Sequence, residues 1–252
     1  MSMRLAGARR RRVAWEVALI LTGIGLYFGV RGLMETRVDL AYRNAERLIE
    51  LERSAGVFSE PELQEAAVAH SWLVDAVSQF YIYGHWPVVG LTLLWLLLRH
   101  GDEYPRFRNA MLISGAIGLV IFAVFPVAPP RFLPGYGFVD TVTEQTSAYR
   151  VLQPPAFVNQ YAALPSLHFG WNLLMGIAWV SLAGHPLARL FGWLMPPAML
   201  ASIVLTANHY LIDGLAGGAI ALFALLVANR LRERRRRRLM TPPTQPETVI
   251  RT

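Results

Sequence analysis

Long apolar segments alternate with short polar ones along most of the chain. Six of them approach the roughly 20 residues that an α-helix needs to cross a bilayer. They cover residues 13–30, 80–98, 110–127, 164–183, 190–207 and 210–228. The first is interpreted as a retained helix, because no clean signal-peptide cleavage site follows it. The pattern therefore predicts an all-α, polytopic membrane protein with six transmembrane helices.

The polar stretch between the first two apolar segments has a helical pattern of its own. Val38, Ala41, Ala45 and Leu48 recur at helical spacing, and the Ser59–Glu62 segment is typical of a capping box that opens a second helix. We expect these helices to lie along the outer membrane surface and to cover the protein there. A lid that gates substrate entry is the functional alternative.

The segments predict four regions. Residues 1–34 hold a basic N-terminal tail and the first membrane helix, and residues 35–79 hold the extracytoplasmic interfacial helices. Residues 80–230 form a catalytic core of five membrane helices, and residues 231–252 form a basic, disordered cytoplasmic tail. A Pro- and Gly-rich loop at residues 127–163 is too long for a simple connector, so we expect it to be functional.

Composition and charge agree with a membrane protein and fix its expected orientation. Hydrophobic residues make up 54% of the chain and charged residues 16%, and all 24 basic residues are arginine. The runs Arg9–Arg12 and Arg234–Arg238 adjoin apolar segments, which is typical of topology signals rather than of a nucleic-acid-binding face. We expect both termini in the cytoplasm, a location in the plasma membrane, and no nucleic-acid partner.

Four ionisable residues fall at the outer ends of three predicted spans. His168 begins the fourth span, His209 and Asp213 begin the sixth, and Arg131 follows the third. A charged group inside a bilayer costs several kcal/mol, so such residues are candidates for function. Their convergence on the extracytoplasmic face predicts one site.

The spacing of these residues indicates phosphoryl transfer. Asp213 lies four residues after His209, so its carboxylate is placed to fix the imidazole tautomer and leave the other nitrogen as a nucleophile. His168 is placed to protonate a leaving oxygen as a general acid. Phosphate would be bound by the helix N-terminus at Ser166 and by the bidentate guanidinium of Arg131.

A metal site is the competing interpretation of the same residues. His209 and Asp213 are both able to ligate a metal, with His168 or His85 completing the set. The Pro-Ser-x-His context and the nearby arginine fit phosphate better than a cation, so we expect no metal and no cofactor. His85 lies at the outer start of the second span, where it could line the site, but it is interpreted instead as a ring at the membrane interface beside Trp86.

Two segments carry a resemblance to a known family. The Asn159–His168 stretch, NQYAALPSLH, followed by the Asn208–Asp213 stretch, NHYLID, resembles the phosphatidic acid phosphatase type 2 superfamily over residues 110–228. The resemblance implies His209 as a phosphohistidine nucleophile, Asp213 as its partner and His168 as the acid. Pro129–Arg131 matches the family's phosphate-binding segment.

Two departures place the chain nearer one branch. Leu167 stands where the commoner phosphatases have glycine, and Ser202 is followed by Ile203 rather than by arginine. Arg150 is the candidate that would replace the missing phosphate contact. Both points resemble the branch of inositol phosphorylceramide synthase, an inositolphosphotransferase.

The branch implies a function in lipid metabolism. The chain would move a phospho-head-group, here phosphoinositol, from a lipid-borne phosphate substrate to a lipid alcohol. One alternative is a phosphatase acting on lipid phosphates or polyprenyl diphosphates, with water as acceptor. A non-catalytic membrane transporter or scaffold is the alternative from another class.

Overall fold

The structure, a computed structural model, describes residues 37–141 and 160–240, together with residues 14–16, 18–19, 21–23 and 25–30. The described residues before position 31 are helical. From residue 37 onward the helices are α1 (Val38–Ser54), α2 (Glu60–Val68), α3 (Ser71–Gln79), α4 (His85–Arg99), α5 (Tyr104–Val124), α6 (Leu167–Leu182), α7 (Pro186–Leu205) and α8 (Leu211–Met240). The described part contains no strand, only an isolated bridge between Val127 and Ala162. The predicted all-α class is confirmed for these residues.

Helix length and hydropathy support a membrane protein. Within the described part, α5, α7 and the stretch Leu211–Arg238 of α8 are long and apolar enough to cross a bilayer. The apolar helices α4 and α6 are shorter, and α4 continues from α3 through a π-helical turn, Phe80–Gly84. The full set of six spans stays a prediction.

Two helices extend beyond the predicted apolar segments. Helix α5 begins at Tyr104 rather than at residue 110, because Pro105 in its first turn favours a helix start and the arginines that follow do not interrupt one. Helix α8 runs to Met240 and so includes residues 231–240, which the sequence assigned to the disordered tail. Arginine is a good helix former, so the Arg234–Arg238 run continues the helix beyond the end of the apolar segment.

Close packing of α6 on α8 brings the two histidine motifs together. A Cβ atom on Gly217 in α8 would overlap the backbone of Ser166, the residue that caps α6. A Cβ atom on Gly170 in α6 would lie 2.6 Å from the carbonyl oxygen of Gly217. Because both positions lack a side chain, the backbones touch, and the N-terminus of α6 lies against the first turn of α8.

Helices α1 and α2, together called the cover below, pack over this end of the molecule. The predicted apolar face of α1 is confirmed: Ala41, Ala45, Leu48 and Ile49 are buried with Val127, Ala128 and Tyr210. The side chain of Asn44 donates to the carbonyl of Pro126 at 2.9 Å. Gln64 of α2 exchanges two hydrogen bonds with the backbone of Val139, at 2.7 and 3.0 Å.

The start of α2 differs in one detail from the predicted capping box. The helix begins at Glu60 with Ser59 as its N-cap residue, but the Ser59 side chain makes no cap hydrogen bond. Instead, the carboxylate of Glu60 accepts from the N–H of Ser59 at 3.0 Å and also reaches across to α8. A position on the membrane surface for these helices stays a prediction.

Charged residues gather at the opposite end of the helices. Glu103, just before α5, accepts from Arg232 of α8 at 2.7 Å and from Arg106 at 3.3 Å. Burial alone would raise the pKa of Glu103, but these two arginines outweigh it and lower the pKa. Glu16 pairs with Arg108 at the same end. The fold therefore separates a charged end from the end that carries the histidines.

Candidate functional site

A turn between α7 and α8 presents His209. Ala207 has a φ of 49°, a left-handed conformation that is uncommon for a residue other than glycine and is found at helix C-termini. Its carbonyl accepts from the N–H of Arg131 at 2.9 Å, and the N–H groups of Asn208 and His209 both donate to the carbonyl of Ile203 at 3.1 Å. The turn is buried, so its shape fixes where the imidazole points.

The tautomer of His209 follows from one contact. Its Nδ1 lies 2.7 Å from the carbonyl oxygen of Ala163, which can only accept a hydrogen bond. Nδ1 therefore carries the hydrogen, and Nε2 keeps the lone pair that a nucleophile needs. Ala163 is itself held by a hydrogen bond from its N–H to Val127, at 3.2 Å.

Asp213 lies close to His209 but is not the group that fixes its tautomer. The Oδ2 atom is 3.5 Å from Nδ1 of His209 and accepts the N–H of Tyr210 at 2.9 Å. The predicted i,i+4 proximity is thus present, while the tautomer is set by the carbonyl of Ala163. Because Asp213 is fully buried next to the ring, it is placed to stabilise positive charge on the imidazole.

His168 lies in the first turn of α6, facing His209. The centres of the two rings are 5.9 Å apart, and Nε2 of His168 is buried without a hydrogen-bond partner among the described residues. Ser166 caps the helix with its hydroxyl, which accepts from the N–H of Phe169 at 3.4 Å. Its own N–H donates to the carbonyl of Asp213 at 2.9 Å, so Ser166 ties α6 to α8. The binding of phosphate at this helix N-terminus stays a prediction.

Arg131 stands beside these groups. It follows α5 in a 3-10 turn, Pro130–Phe132, with a side chain that is largely buried, and it is near enough to His209 to act on it electrostatically. Its Nε lies 3.9 Å from the carboxylate of Asp140, a residue that the sequence interpretation did not single out. Arg150, the other predicted phosphate contact, lies outside the described residues.

The structure adds His85 and its neighbours to the site. The His85 ring centre is 4.3 Å from that of His168, and only 2% of the residue is exposed, so the interpretation of His85 as an interfacial ring is wrong. Asn172 donates from Nδ2 to the His168 carbonyl at 2.9 Å and lies 2.8 Å from Nδ1 of His85. Tyr81 stacks on the other side of His168, at 4.8 Å.

The sequence did contain a signal for this second group. Tyr81 and His85 are four residues apart, as are His168 and Asn172, and residues at that spacing share one face of a helix. Tyr81 lies within the π-helical turn and His85 directly follows it, and both rings contact the ring of His168. Such turns are frequent at functional sites, but this one is not visible in the hydrophobic pattern.

The metal interpretation finds no matching geometry. Across the described residues, no cluster of three or more His, Asp or Glu side chains is arranged to hold a metal ion. His209 directs Nδ1 at a carbonyl oxygen, and His85 directs Nδ1 at an amide, so both rings already use one nitrogen in hydrogen bonds to the protein.

Comparison with known families covers most of the chain. The model of the PAP2 superfamily matches residues 46–227, from within α1 to within α8. The chain belongs to the PAP2 superfamily. Members are lipid phosphatases or phosphotransferases, and this protein is an enzyme of that kind, acting on a lipid phosphate. Comparisons with curated proteins and with solved structures yield no match.

Proposed function

We propose that this PAP2 superfamily protein is a lipid phosphotransferase that carries a phospho-head-group on His209. The observation that supports this most directly is the hydrogen bond from His209 Nδ1 to the Ala163 carbonyl, at 2.7 Å. Because this hydrogen bond uses Nδ1, the unprotonated Nε2 is the nitrogen that would react. His168 is the group that we assign to exchange a proton there, with a ring-centre separation of 5.9 Å from His209.

The first half-reaction forms the phosphohistidine. The lone pair of His209 Nε2 attacks phosphorus, and the bond from phosphorus to the donor lipid's oxygen breaks. The protonated His168 gives its proton to that oxygen, so the donor leaves as a lipid alcohol. Asp213 stabilises the positive charge that develops on the His209 ring, and Arg131 balances the charge of the phosphoryl oxygens.

The second half-reaction returns the enzyme to its starting state. An acceptor hydroxyl attacks phosphorus, and the neutral His168 takes the hydroxyl proton. The bond from phosphorus to His209 Nε2 breaks, and the electron pair returns to the ring. Water in place of the alcohol would turn the same site into a phosphatase, so the acceptor decides between transfer and hydrolysis.

Phosphoinositol as the transferred group rests on the resemblance to the inositol phosphorylceramide synthase branch, which two positions carry. Leu167 packs its side chain over Gly118 of α5, where a Cβ atom would lie 3.1 Å from the leucine, so the larger residue has a matching space. Ile203 is fully buried in an apolar cluster with Tyr81, Met199 and Val204. An arginine would not suit this apolar site, in keeping with the sequence resemblance to the inositol phosphorylceramide synthase branch.

The test uses purified protein in detergent with a phospholipid labelled in its head group. Wild-type protein is expected to take up acid-labile label, and His209→Ala is expected to lose all of it. His168→Ala should accumulate the labelled intermediate when the donor carries a good leaving group, because release then needs no acid. His70→Ala, an exposed histidine at the start of α3, is the control.

The acceptor is identified in the same assay. Label that moves to an added lipid alcohol supports the transferase, whereas release as free head-group phosphate with no transfer would replace it by the phosphatase alternative. Wild-type protein that takes up no label from any phospholipid, phosphatidic acid or polyprenyl diphosphate would contradict both enzymes and favour a transporter.

A further inference from the structure

Two carboxyl groups from the cover bind the first turn of the helix that carries Asp213. The N–H of Leu211 donates to Glu60 Oε1 at 2.8 Å, and the N–H of Ile212 donates to Glu52 Oε1 at 2.9 Å. Both acids are 1% exposed. The first N–H groups of a helix have no partner within the helix, so these contacts cap α8 with side chains that lie about 150 residues earlier in the chain.

The two acids differ in their hydrogen bonds. Glu60 accepts hydrogen bonds at both oxygens, from Leu211 and from Ser59, so it acts only as an acceptor. Glu52 Oε2 is buried without a hydrogen-bond partner among the described residues, and Glu60 is close enough to act on the Glu52 carboxyl group. Burial, with the charges of Glu60 and Asp213, raises the pKa of Glu52 to about 8. The raised pKa favours a protonated Glu52 at neutral pH, and its hydroxyl would be placed to donate to Glu60.

We propose that Glu52 and Glu60 are positioning residues that hold the cover against the first turn of α8, through one proton carried by Glu52. This proton lets two buried carboxyl groups lie side by side and cap adjacent N–H groups. Asp213 belongs to the same turn and lies beside His209. The contact therefore fixes both groups of the proposed phosphoryl-transfer site, and the inference rests on that proposed function.

Loss of the proton should release the contact. The acidic groups that act on Glu52 are Glu60 of α2 and Asp213 of α8, and Tyr210 lies close to all three. The adjacent cation, Arg53, stacks its guanidinium over Phe58 and Tyr136, at 4.9 and 5.4 Å. An ionised Glu52 would add a further negative charge to this buried group, which is unfavourable.

The sign of the pH dependence follows from the raised pKa. The docked cover binds the proton more tightly than a released cover, in which Glu52 titrates near its ordinary value of 4.5. The Glu52 proton therefore stabilises the docked cover fully below pH 4.5. This stabilisation weakens as the pH rises and is lost above about pH 8. We expect an alkaline decline of kcat with a midpoint near pH 8.

Conservative variants test the proton directly. In Glu52→Gln the amide oxygen still accepts from Ile212 and the NH2 group donates to Glu60, so activity should stay within about threefold of wild type and the decline near pH 8 should disappear. In Glu60→Gln the NH2 group would face an N–H donor, so kcat should fall at least tenfold, with KM changed less than threefold. Glu50→Gln and Glu62→Gln, exposed on the same two helices, are the controls.

The pH profile separates positioning from a general effect on folding. A Glu52→Gln enzyme that keeps the wild-type decline, or that loses activity as fully as Glu60→Gln, would contradict the shared proton. Equal tolerance of both glutamine variants would contradict the asymmetry between donor and acceptor, and with it the proposed contact.

A second measurement does not depend on catalysis. Amide hydrogen exchange of Leu211 and Ile212 in the purified full-length protein should speed up at least tenfold in Glu52→Ala, but not in Glu52→Gln. It should also speed up in wild type above pH 8, beyond the ordinary base catalysis seen at exposed amides. Unchanged exchange in Glu52→Ala would overturn the cap. Hydrogen exchange therefore tests the cap separately from the proposed function, because the measurement needs no turnover of a lipid phosphate.

Discussion

The pairing of His209 with Asp213 is indirect, and that has a consequence for mutation. The hydrogen of Nδ1 goes to the carbonyl of Ala163 at 2.7 Å, while the carboxylate lies 3.5 Å away and accepts the N–H of Tyr210. Asp213 should therefore act mainly through its charge. Asparagine would keep an oxygen for Tyr210 and remove that charge.

Asp213→Asn is accordingly expected to fold normally and to lower kcat about 10²- to 10³-fold, the usual effect of losing one electrostatic partner of a transition state. Steady-state turnover of a labelled lipid phosphate would measure this, with thermal unfolding as the check on folding. Asp75→Asn, an exposed acid in α3, is the control. Turnover within threefold of wild type would mean that the charge of Asp213 is not used.

Asn172 is expected to orient His168. Its Nδ2 donates to the carbonyl of His168, four residues earlier, and faces Nδ1 of His85, so it connects α6 to α4. In Asn172→Asp the shape is kept but the donor is lost, and a carboxylate oxygen would face a carbonyl oxygen. Because His168 protonates the leaving group in the proposed mechanism, formation of the phosphohistidine should slow at least tenfold.

Single-turnover labelling would show this effect most clearly, because it isolates the first half-reaction. The deficit should shrink with a donor whose leaving group needs no acid, which a general loss of folding would not produce. Ser181→Ala, at the exposed end of the same helix, is the control. A deficit that is equal for both donors would argue against a role through His168.

At the scale of single residues, the sequence predicts what its motifs contain and little else. His168, His209 and Asp213 were recognised because they are polar residues at helix starts, and the structure brings these three together. The interfacial interpretation of His85 is wrong because hydrophobic periodicity does not record which polar ring at a helix start packs against a neighbouring helix. The sequence does not single out Glu52, and it includes Glu60 only in the predicted capping box, since nothing local indicates that the two acids contact α8.

At the scale of helices, the contact of α6 with α8 depends on the missing side chain of Gly217. A Cβ atom there would overlap the backbone of Ser166, which cannot move without displacing the N-terminus of α6. Gly217→Ala is expected to destabilise the protein by about 1–3 kcal/mol, the usual cost of overpacking, despite the better helix propensity of alanine. Activity should fall as well, because His168 moves with Ser166.

Gly90→Ala is the matched control for that variant. Gly90 is also inside a helix, but a Cβ atom there has no neighbour within 4 Å. It should leave stability unchanged or raise it by up to about 1 kcal/mol. Thermal unfolding of both variants in the same detergent gives the comparison. If both alanines raised the melting temperature equally, the close approach at Gly217 would be refuted.

The hydrophobic pattern predicts where the helices lie more accurately than it predicts where they begin and end. The apolar segments located α5, α7 and α8, but α5 begins earlier and α8 ends later than hydropathy alone indicates. Ends are set by local features such as Pro105 in the first turn of α5, and arginines extend a helix without being apolar. The contact of the cover with α8 joins residues distant in sequence, so no local pattern predicts it.

At the scale of the whole molecule, the separation of the charged end from the histidine end supports one orientation. Helix α6 begins at Leu167, next to His168, and α7 ends at Leu205, shortly before His209, so the turn between the two helices lies at the far end, as does the turn before α5. Glu103 and Arg232 meet at that end. The positive-inside rule would place it, with the Arg234–Arg238 run, in the cytoplasm.

Single cysteines can test this orientation cleanly, because the chain contains none. Ala55→Cys lies in the exposed turn after α1, near the histidine end, whereas Gly101→Cys and Gly184→Cys lie in the exposed turns at the charged end. In intact cells, a membrane-impermeant maleimide should label only Ala55→Cys. After permeabilisation it should label all three, because each position is exposed. Labelling of Gly101→Cys or Gly184→Cys in intact cells would invert the orientation and place the proposed phosphoryl-transfer site on the cytoplasmic face.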